Sequence, residues 1–503
     1  MSQQHDSLSN PPSAPSFAHE QQGFQQGLKP RQIQMIAMGG SIGTGLFLGA
    51  GGRLHDAGPS LIVLYAIAGF FGYLILRQLG ELVSYRPSSG SFVSYTREFY
   101  GEKWAFFVGW MYWFSWAATA IVDATATAIY FNWFGRYIPA IQSIEQWVVA
   151  LIVLVVVVSM NLISVKIFGE LEFWFALIKI GSLLLFMVIG IFFVIFGTPT
   201  GSPVGFSHIA ESGWLPNGLL AALVVSQGVI FAYSGIELVG TASGEIKDPR
   251  KAIPKAINTV VWRIALFYVG SVLLLSLLLP YSAYSADESP FVTFFGSIGI
   301  DYAAPIMQLV VITAAASSLN AGLYSTGRIT HSMAMNGSAP RFTGAMSKSG
   351  VPIGGILLTG AVALLGVAIN YWKPSEAFEI VLNISAICIV IGWMAITLPH
   401  ARFVALASQG ERARPDYRAP LAPVTNWVTM LFLIGVLVLI AFDYPIGSYS
   451  LAAMALVVPA LIVGWFLVRK RVHRLAAERV RQDPTQTSSI TIMEDKDDFG
   501  LLP

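Results

Sequence analysis

Runs of about twenty apolar residues recur along almost the whole chain, and no other feature limits the possible fold as strongly. A helix rising 1.5 Å per residue needs roughly 20 such residues to cross bilayer hydrocarbon. Twelve spans are read, at about 31–53, 59–83, 104–134, 145–165, 170–196, 218–243, 256–280, 302–333, 353–371, 377–400, 424–443 and 447–468. The fourth and fifth are parted at Lys166 to Glu172, and the last two turn at Asp443 to Ser448. Of the 503 residues, 55% are hydrophobic and 12% charged, whereas soluble domains carry about a quarter charged residues. The fold class is therefore an all-α polytopic membrane protein with 12 transmembrane helices, for which the lipid bilayer acts as solvent.

Charge placement gives the orientation. With the N-terminus inside, 26 of the 30 Lys and Arg residues fall in inward segments. Only Arg53, Arg136 and Lys373 fall outside, and Lys179 lies within a span. Cytoplasmic loops are enriched in Lys and Arg, so both termini are expected in the cytoplasm of a cell-membrane protein. Residues 1–27, rich in Gln, Ser and Pro, read as a disordered cytoplasmic tail without the apolar stretch of a signal peptide. The transport core is placed at 28–408, helices 11 and 12 at 409–470, and a charged cytoplasmic tail at 471–503. The one cysteine, Cys388, permits no intrachain disulfide, and the seven histidines show no metal-ligand spacing. No cofactor, metal or nucleic acid is expected.

Two spans are interrupted. Span 1 carries Gly39, Gly40, Gly43 and Gly45 at mid-depth, and glycine costs a helix roughly 1 kcal/mol relative to alanine. Small residues spaced four apart, such as Gly39 and Gly43, can serve close helix packing. An unwound segment lining a binding site is the other reading, since irregular backbone at membrane depth requires a cavity or burial in protein. Span 6 holds a matching feature in FAYSGIE, Phe231 to Glu237. The two lie five spans apart and enter from opposite sides, which suggests two inverted five-helix halves. Matched interruptions point to a transporter site. A restarting helix offers free N–H groups to a carboxylate, and an ending helix offers carbonyls to an ammonium. Such a site suits an amino-acid zwitterion.

Ala57-Gly58-Pro59, followed by Gly80-Glu81-x5-Pro87, looks like the amino-acid permease signature. GGSIGTGLF, RPSSGSFVSY, GWMYWFSWAATAIVDATA, GELEFWFALIKIGSLLLF, GEIKDPRKAIPKAIN, SSLNAGLYSTGR and HSMAMNGSAPRF resemble the bacterial amino acid transporter family of the amino acid–polyamine–organocation superfamily. The resemblance covers Leu28 to Arg471, and within the family it looks closest to permeases for L-asparagine, with D-serine/D-alanine/glycine permeases as near relatives. It implies a LeuT-like 5+5 inverted repeat with broken helices 1 and 6, two further helices, and proton-coupled amino-acid uptake. By this resemblance Ile42, Gly43, Thr44 and Gly45 would bind the substrate carboxylate, and carbonyls of Ile42, Phe231 and Ser234 its amino group. Lys179 would take the place of sodium in sodium-coupled relatives, facing Ser317 and Ser318.

The buried charges have competing readings. Lys179 is the only charge between Phe173 and Phe196. About 9 Å deep, it could snorkel to the interface, or it could gain and lose a proton while engaging and releasing span 1, because burial makes its charge costly. Asp123 could be a satisfied core carboxylate, or could face the cavity to accept a substrate amide or move protons. Thr119 and Thr127 lie four residues either side of it and would line the same cavity. Glu237 could cap the restarted span 6 or gate. Asn320, Tyr324, Asn383 and Ser385 are further polar positions for side-chain recognition. Glu245, Lys247, Asp248, Arg250 and Lys251 read as a solvated loop, or as inner-gate contacts. Arg86 to Ser91 reads as the loop between spans 2 and 3.

The sequence offers no HExxH, no paired acids and no histidine near Ser317 in sequence, which argues against an intramembrane enzyme. It offers no signalling domain for a receptor, and inverted breaks argue against a channel. Transport of a small neutral amino acid remains, with L-asparagine expected and D-serine, D-alanine, glycine or glutamine as alternatives. An exchanger without proton coupling is the mechanistic alternative.

Overall fold

The computed structural model describes residues 31–32, 35, 42–88, 90–199, 201, 203–241, 248–372 and 377–482. Gly39, Gly40, Glu245, Lys247 and the segments 1–27 and 483–503 lie outside the described residues. Every regular element among those described is helical. The first half comprises α1 (Thr44–Phe47), α2 (Gly49–Ala57), α3 (Leu61–Tyr85), α4 (Ser91–Tyr100), α5 (Glu102–Asn132), α6 (Gln146–Asn161) and α7 (Val165–Phe196). The second comprises α8 (Gly218–Val224), α9 (Ser226–Ala232), α10 (Leu238–Thr241), α11 (Pro249–Asn258), α12 (Ser271–Leu278), α13 (Pro290–Ser297), α14 (Ala303–Met335), α15 (Ile353–Trp372) and α16 (Ala377–Ser408). The chain ends on α17 (Val424–Ile440) and α18 (Ile446–Gln482).

Eight helical stretches among the described residues are long and apolar enough to cross a membrane. Three shorter apolar helices accompany them, at Gln146–Asn161, Gly218–Ala232 and Val424–Ile440. One of the eight, Gly49–Tyr85, runs through the tight Gly58–Ser60 turn where the sequence separates two spans. Burial separates core from periphery. The apolar windows of Glu102–Arg136 and Phe378–Ser408 are each 78% buried, against 11% for Gly447–Arg479. Thus α5 and α16 form the centre with α14, against which α5 packs, and α18 lies outside.

Helix α7 shows how an apolar sequence acquires an inward face. Phe168, Glu172, Ala176, Lys179, Leu183 and Phe186 recur every three or four residues and are buried. Trp174, Leu177, Leu184, Leu185, Val188 and Ile195 face outward. The two polar residues therefore sit on the protein side and the large apolar ones on the lipid side, as exclusion of charge from hydrocarbon requires.

The structure departs from the sequence reading in three places. Segment 471–482 is not loose tail but the last turns of α18. Val472 and Ala476 are fully buried, Arg471 donates to the Ala339 carbonyl at 3.3 Å, and Arg479 engages Glu102 and Asn336. Its basic residues disguise an amphipathic helix. Second, Arg250 and Lys251 stand on α11 rather than in a loop, and Lys251 forms an exposed ion pair with Asp248 at 3.4 Å. Third, the stretch between spans 2 and 3 holds more than the loop from Arg86 to Ser91, since the buried helix α4 follows it. Its Arg97 pairs with Glu102 at 3.1 Å, and its Glu98 pairs with Arg86.

Candidate functional site

The two interruptions meet. Ile42 is not helical, Gly43 is extended (φ −136°, ψ −154°), and α1 starts at Thr44. A Cβ at Gly45 would lie 2.4 Å from the Ala232 Cα, so α1 and α9 touch backbone to backbone. Only glycine permits that approach. Close packing falls on Gly45, whereas of the two glycines read as a packing pair Gly39 lies outside the described residues and Gly43 is extended just before α1. On the other side α9 stops at Ala232, and the chain turns through Tyr233 to Glu237 before α10. Gly235, at φ 87°, supplies the left-handed step. The Phe231 carbonyl accepts the Ser234 N–H at 2.9 Å.

Asp123 on α5 is fully buried against these breaks. Its Oδ1 accepts the Thr44 hydroxyl at 2.7 Å, while Oδ2 has no hydrogen bond of ordinary geometry. Ser318 stands beside both: it neighbours the Asp123 carboxylate, and a Cβ on Gly43 would come within 3.2 Å of its Oγ. The Thr119 and Thr127 hydroxyls, expected to line a cavity with Asp123, both donate to carbonyls of their own helix. The Thr127 hydroxyl donates to the Asp123 backbone carbonyl at 2.7 Å. Thr119 donates to Ser115 O at 2.9 Å and meets Ser385 Oγ at 2.7 Å. Short hydroxyls on a helix readily bond the carbonyl four residues back.

Lys179 is fully buried, so it does not snorkel. Its Nζ donates to Ser317 Oγ at 2.9 Å. Ser317 in turn donates to Glu172 Oε1 at 2.7 Å. The other Glu172 oxygen lies 3.4 Å from Asn320 Nδ2, and Asn320 accepts from Asn161 Nδ2 at 2.7 Å. Glu172 is as buried as the lysine, and the sequence reading had used it only to mark a break between spans. Its spacing of seven from Lys179 placed both on one helix face and could have revealed it.

Glu237 is buried, accepts the Trp393 indole N–H at 3.4 Å and neighbours Tyr112, joining the second break to α16 and α5. Tyr324 is spent on packing: it stacks on Phe168 at 3.9 Å and lies under the Arg328 guanidinium. Asn383 and Ser385 point to different places, the first toward Asp443 and the second toward Thr119.

A separate cavity of about 430 Å³ is lined by Arg53, Asp56, Gln227, Glu379, Asn383 and Asp443, among others. Arg53 lies against Gly228 and pairs with Glu379 at 3.2 Å. In the turn between α17 and α18, Asp443 accepts from Gln227 at 2.8 Å and Asn383 at 3.2 Å. Burial, then the nearby Glu379 carboxylate, pushes the Asp443 carboxyl above its usual range. No cluster of potential metal ligands occurs among the described residues.

Residues 32–478 match the amino acid permease family. The chain belongs to the amino acid permease family. This makes it a transporter, not an enzyme, and a multi-pass membrane protein. It is 57% identical over 466 residues to L-asparagine permease 1 of Mycobacterium tuberculosis, covering 92% of this chain and 94% of that protein. It is 54% identical over 460 residues to the L-asparagine permease of Escherichia coli, covering 91% of each. For the L-asparagine permease of Salmonella typhimurium the values are 53% over 475 residues, 93% of this chain and 94% of that one. In three dimensions the permease is similar to a crystal structure of the manganese transporter of Eremococcus coleocola, with TM-score 0.55 and 13% identity. That likeness covers 89% of this chain and 95% of the other, and speaks for the fold alone.

Proposed function

We propose that this permease imports L-asparagine across the cell membrane together with a proton, by alternating access. The reading takes twelve spans, cytoplasmic termini and a LeuT-like inverted repeat whose halves meet at the two breaks. The observation that carries it is the backbone contact of Gly45 with Ala232 beside the buried Asp123. Amide groups of Gly43, Thr44 and Gly45 would hold the substrate carboxylate, and carbonyls of Ile42, Phe231 and Ser234 its ammonium. Asp123 Oδ2, with no bond of ordinary geometry, would accept the side-chain amide. Substrate identity rests on the similarity to L-asparagine permeases over nine-tenths of the chain.

Coupling would run through Lys179. Protonated, it holds Ser317 at 2.9 Å on α14, next to the Ser318 that faces Gly43. Deprotonated, it loses one donor, which would loosen the contact between α14 and the first break. The experiment is uptake of labelled L-asparagine into proteoliposomes under an inward proton gradient, challenged with every other amino acid. Concentrative uptake that collapses with the gradient and is competed by unlabelled asparagine is expected. Gradient-independent exchange, or competition by D-serine or glycine but not asparagine, overturns the reading. Lys179→Met should abolish accumulation.

A further inference from the structure

Building on the role proposed for Lys179, we infer that Glu172 is the residue that receives the coupling proton from Lys179 and passes it toward the cytoplasm. The hydrogen bonds between them have a direction. Lys179 can only donate, so Ser317 Oγ accepts at 2.9 Å; the Ser317 hydroxyl then donates to Glu172 Oε1 at 2.7 Å. In one concerted transfer an Nζ–H bond breaks as an Oγ–H bond forms, and the original Oγ–H bond breaks as an Oε1–H bond forms. An ammonium and a carboxylate become an amine and a carboxylic acid, the serine is unchanged, and no co-reactant is needed.

Position gives the transfer its sense. Glu172 precedes Lys179 by seven residues on α7, about 10 Å along the axis toward the end bearing the basic loops. The lysine has two carboxylates as its charged neighbours, Glu172 on that side and Asp123 beside the breaks. From α14, Ser317 and Asn320 face Glu172, and from α6 Asn161 stands behind Asn320. The partners of Glu172 in these bonds are hydroxyl and amide donors, which tolerate a carboxylate and leave Lys179 to balance its charge.

The test compares wild type, Glu172→Gln, Glu172→Asp and Ser317→Ala in proteoliposomes. Two readouts are taken: exchange of labelled for unlabelled L-asparagine, and accumulation driven by an inward gradient of one pH unit. One proton per substrate sustains about tenfold accumulation across one unit. Glu172→Gln keeps the shape but cannot take a proton. Its accumulation ratio should fall toward one while exchange persists within about threefold. Ser317→Ala should show the same split, and Glu172→Asp should recover part of the accumulation. Wild-type accumulation in Glu172→Gln overturns the inference, as does loss of exchange together with accumulation. If wild type itself fails to accumulate, or Lys179→Met accumulates, the symport reading fails instead, which separates the two.

Discussion

The Lys179–Glu172 pair makes a quantitative prediction that does not depend on transport. The two bond lengths, 2.9 and 2.7 Å, place Nζ within about 5.6 Å of Oε1. At an effective dielectric of about 20, two unit charges at that distance attract by ~3 kcal/mol. Breaking a buried pair by removing one partner typically costs about 3–5 kcal/mol, because an uncompensated charge stays behind. Lys179→Met and Glu172→Gln should each lower stability measurably while leaving the protein folded. Combined, they should cost about 3 kcal/mol less than the sum of the two, since the double variant removes both members of the pair at once, while Asp123 loses Lys179 equally in the single and the double variant. Reversible unfolding in mixed micelles, followed by tryptophan fluorescence for the four proteins, gives the coupling energy. Additivity within about 0.5 kcal/mol would mean the residues do not interact, and the bridged pair would be refuted.

Gly45→Ala places a Cβ 2.4 Å from the Ala232 Cα, so α1 and α9 must part. Overpacking of this kind costs about 1–3 kcal/mol, and substrate binding, read by thermal-shift titration, should weaken at least tenfold. Asp123→Asn keeps a partner for Thr44 but removes the negative charge; L-asparagine affinity, measured by competition, should fall more than glycine affinity. Asp443 binds its proton more tightly in the folded protein than an ordinary aspartate, because of burial and Glu379. It therefore favours the folded state below the ordinary aspartate pKa of about 3.9, and that contribution is lost as pH rises through the raised value. Melting curves should show Asp443→Asn gaining on wild type as pH rises from about 4 to 7.

What the sequence revealed follows from how its signals arise. Hydropathy and glycine clusters are local, so the apolar helices and the non-helical stretches at 42–43 and 233–237 were legible, although eight described helices rather than twelve are long and apolar enough to cross a membrane. Lys179 and Asp123 stood out as lone charges in apolar runs. Glu172 did not, because it sits beside Glu170 in a segment that reads as the end of a loop, and only helix phase shows that it turns inward. Helix phase places Thr127 beside Asp123 but does not show that its hydroxyl is taken up by the carbonyl of its own helix. The Arg53–Glu379 and Asp443–Gln227 contacts join residues more than two hundred positions apart, and no local pattern encodes them. The docked end of α18 was hidden by its basic composition, which resembles a solvated tail.

These contacts also divide the molecule into two polar layers. At one mouth, Arg53 and Asp443 tie α2 and the turn before α18 to α9 and α16 through bonds that open to a cavity. Deeper, Thr44, Asp123, Ser317, Lys179 and Glu172 are buried among α1, α5, α7 and α14. A charge moved within the deep layer acts at low effective dielectric, where it is felt strongly. The same charge beside the open cavity would act at a higher effective dielectric. Control by a single proton is therefore best placed in the deep layer, where Ser318, next in sequence to the bridging serine, faces Gly43 of the first break. On the proposed coupling, a proton transfer that displaced Ser317 would act on the backbone segment proposed to hold the substrate carboxylate.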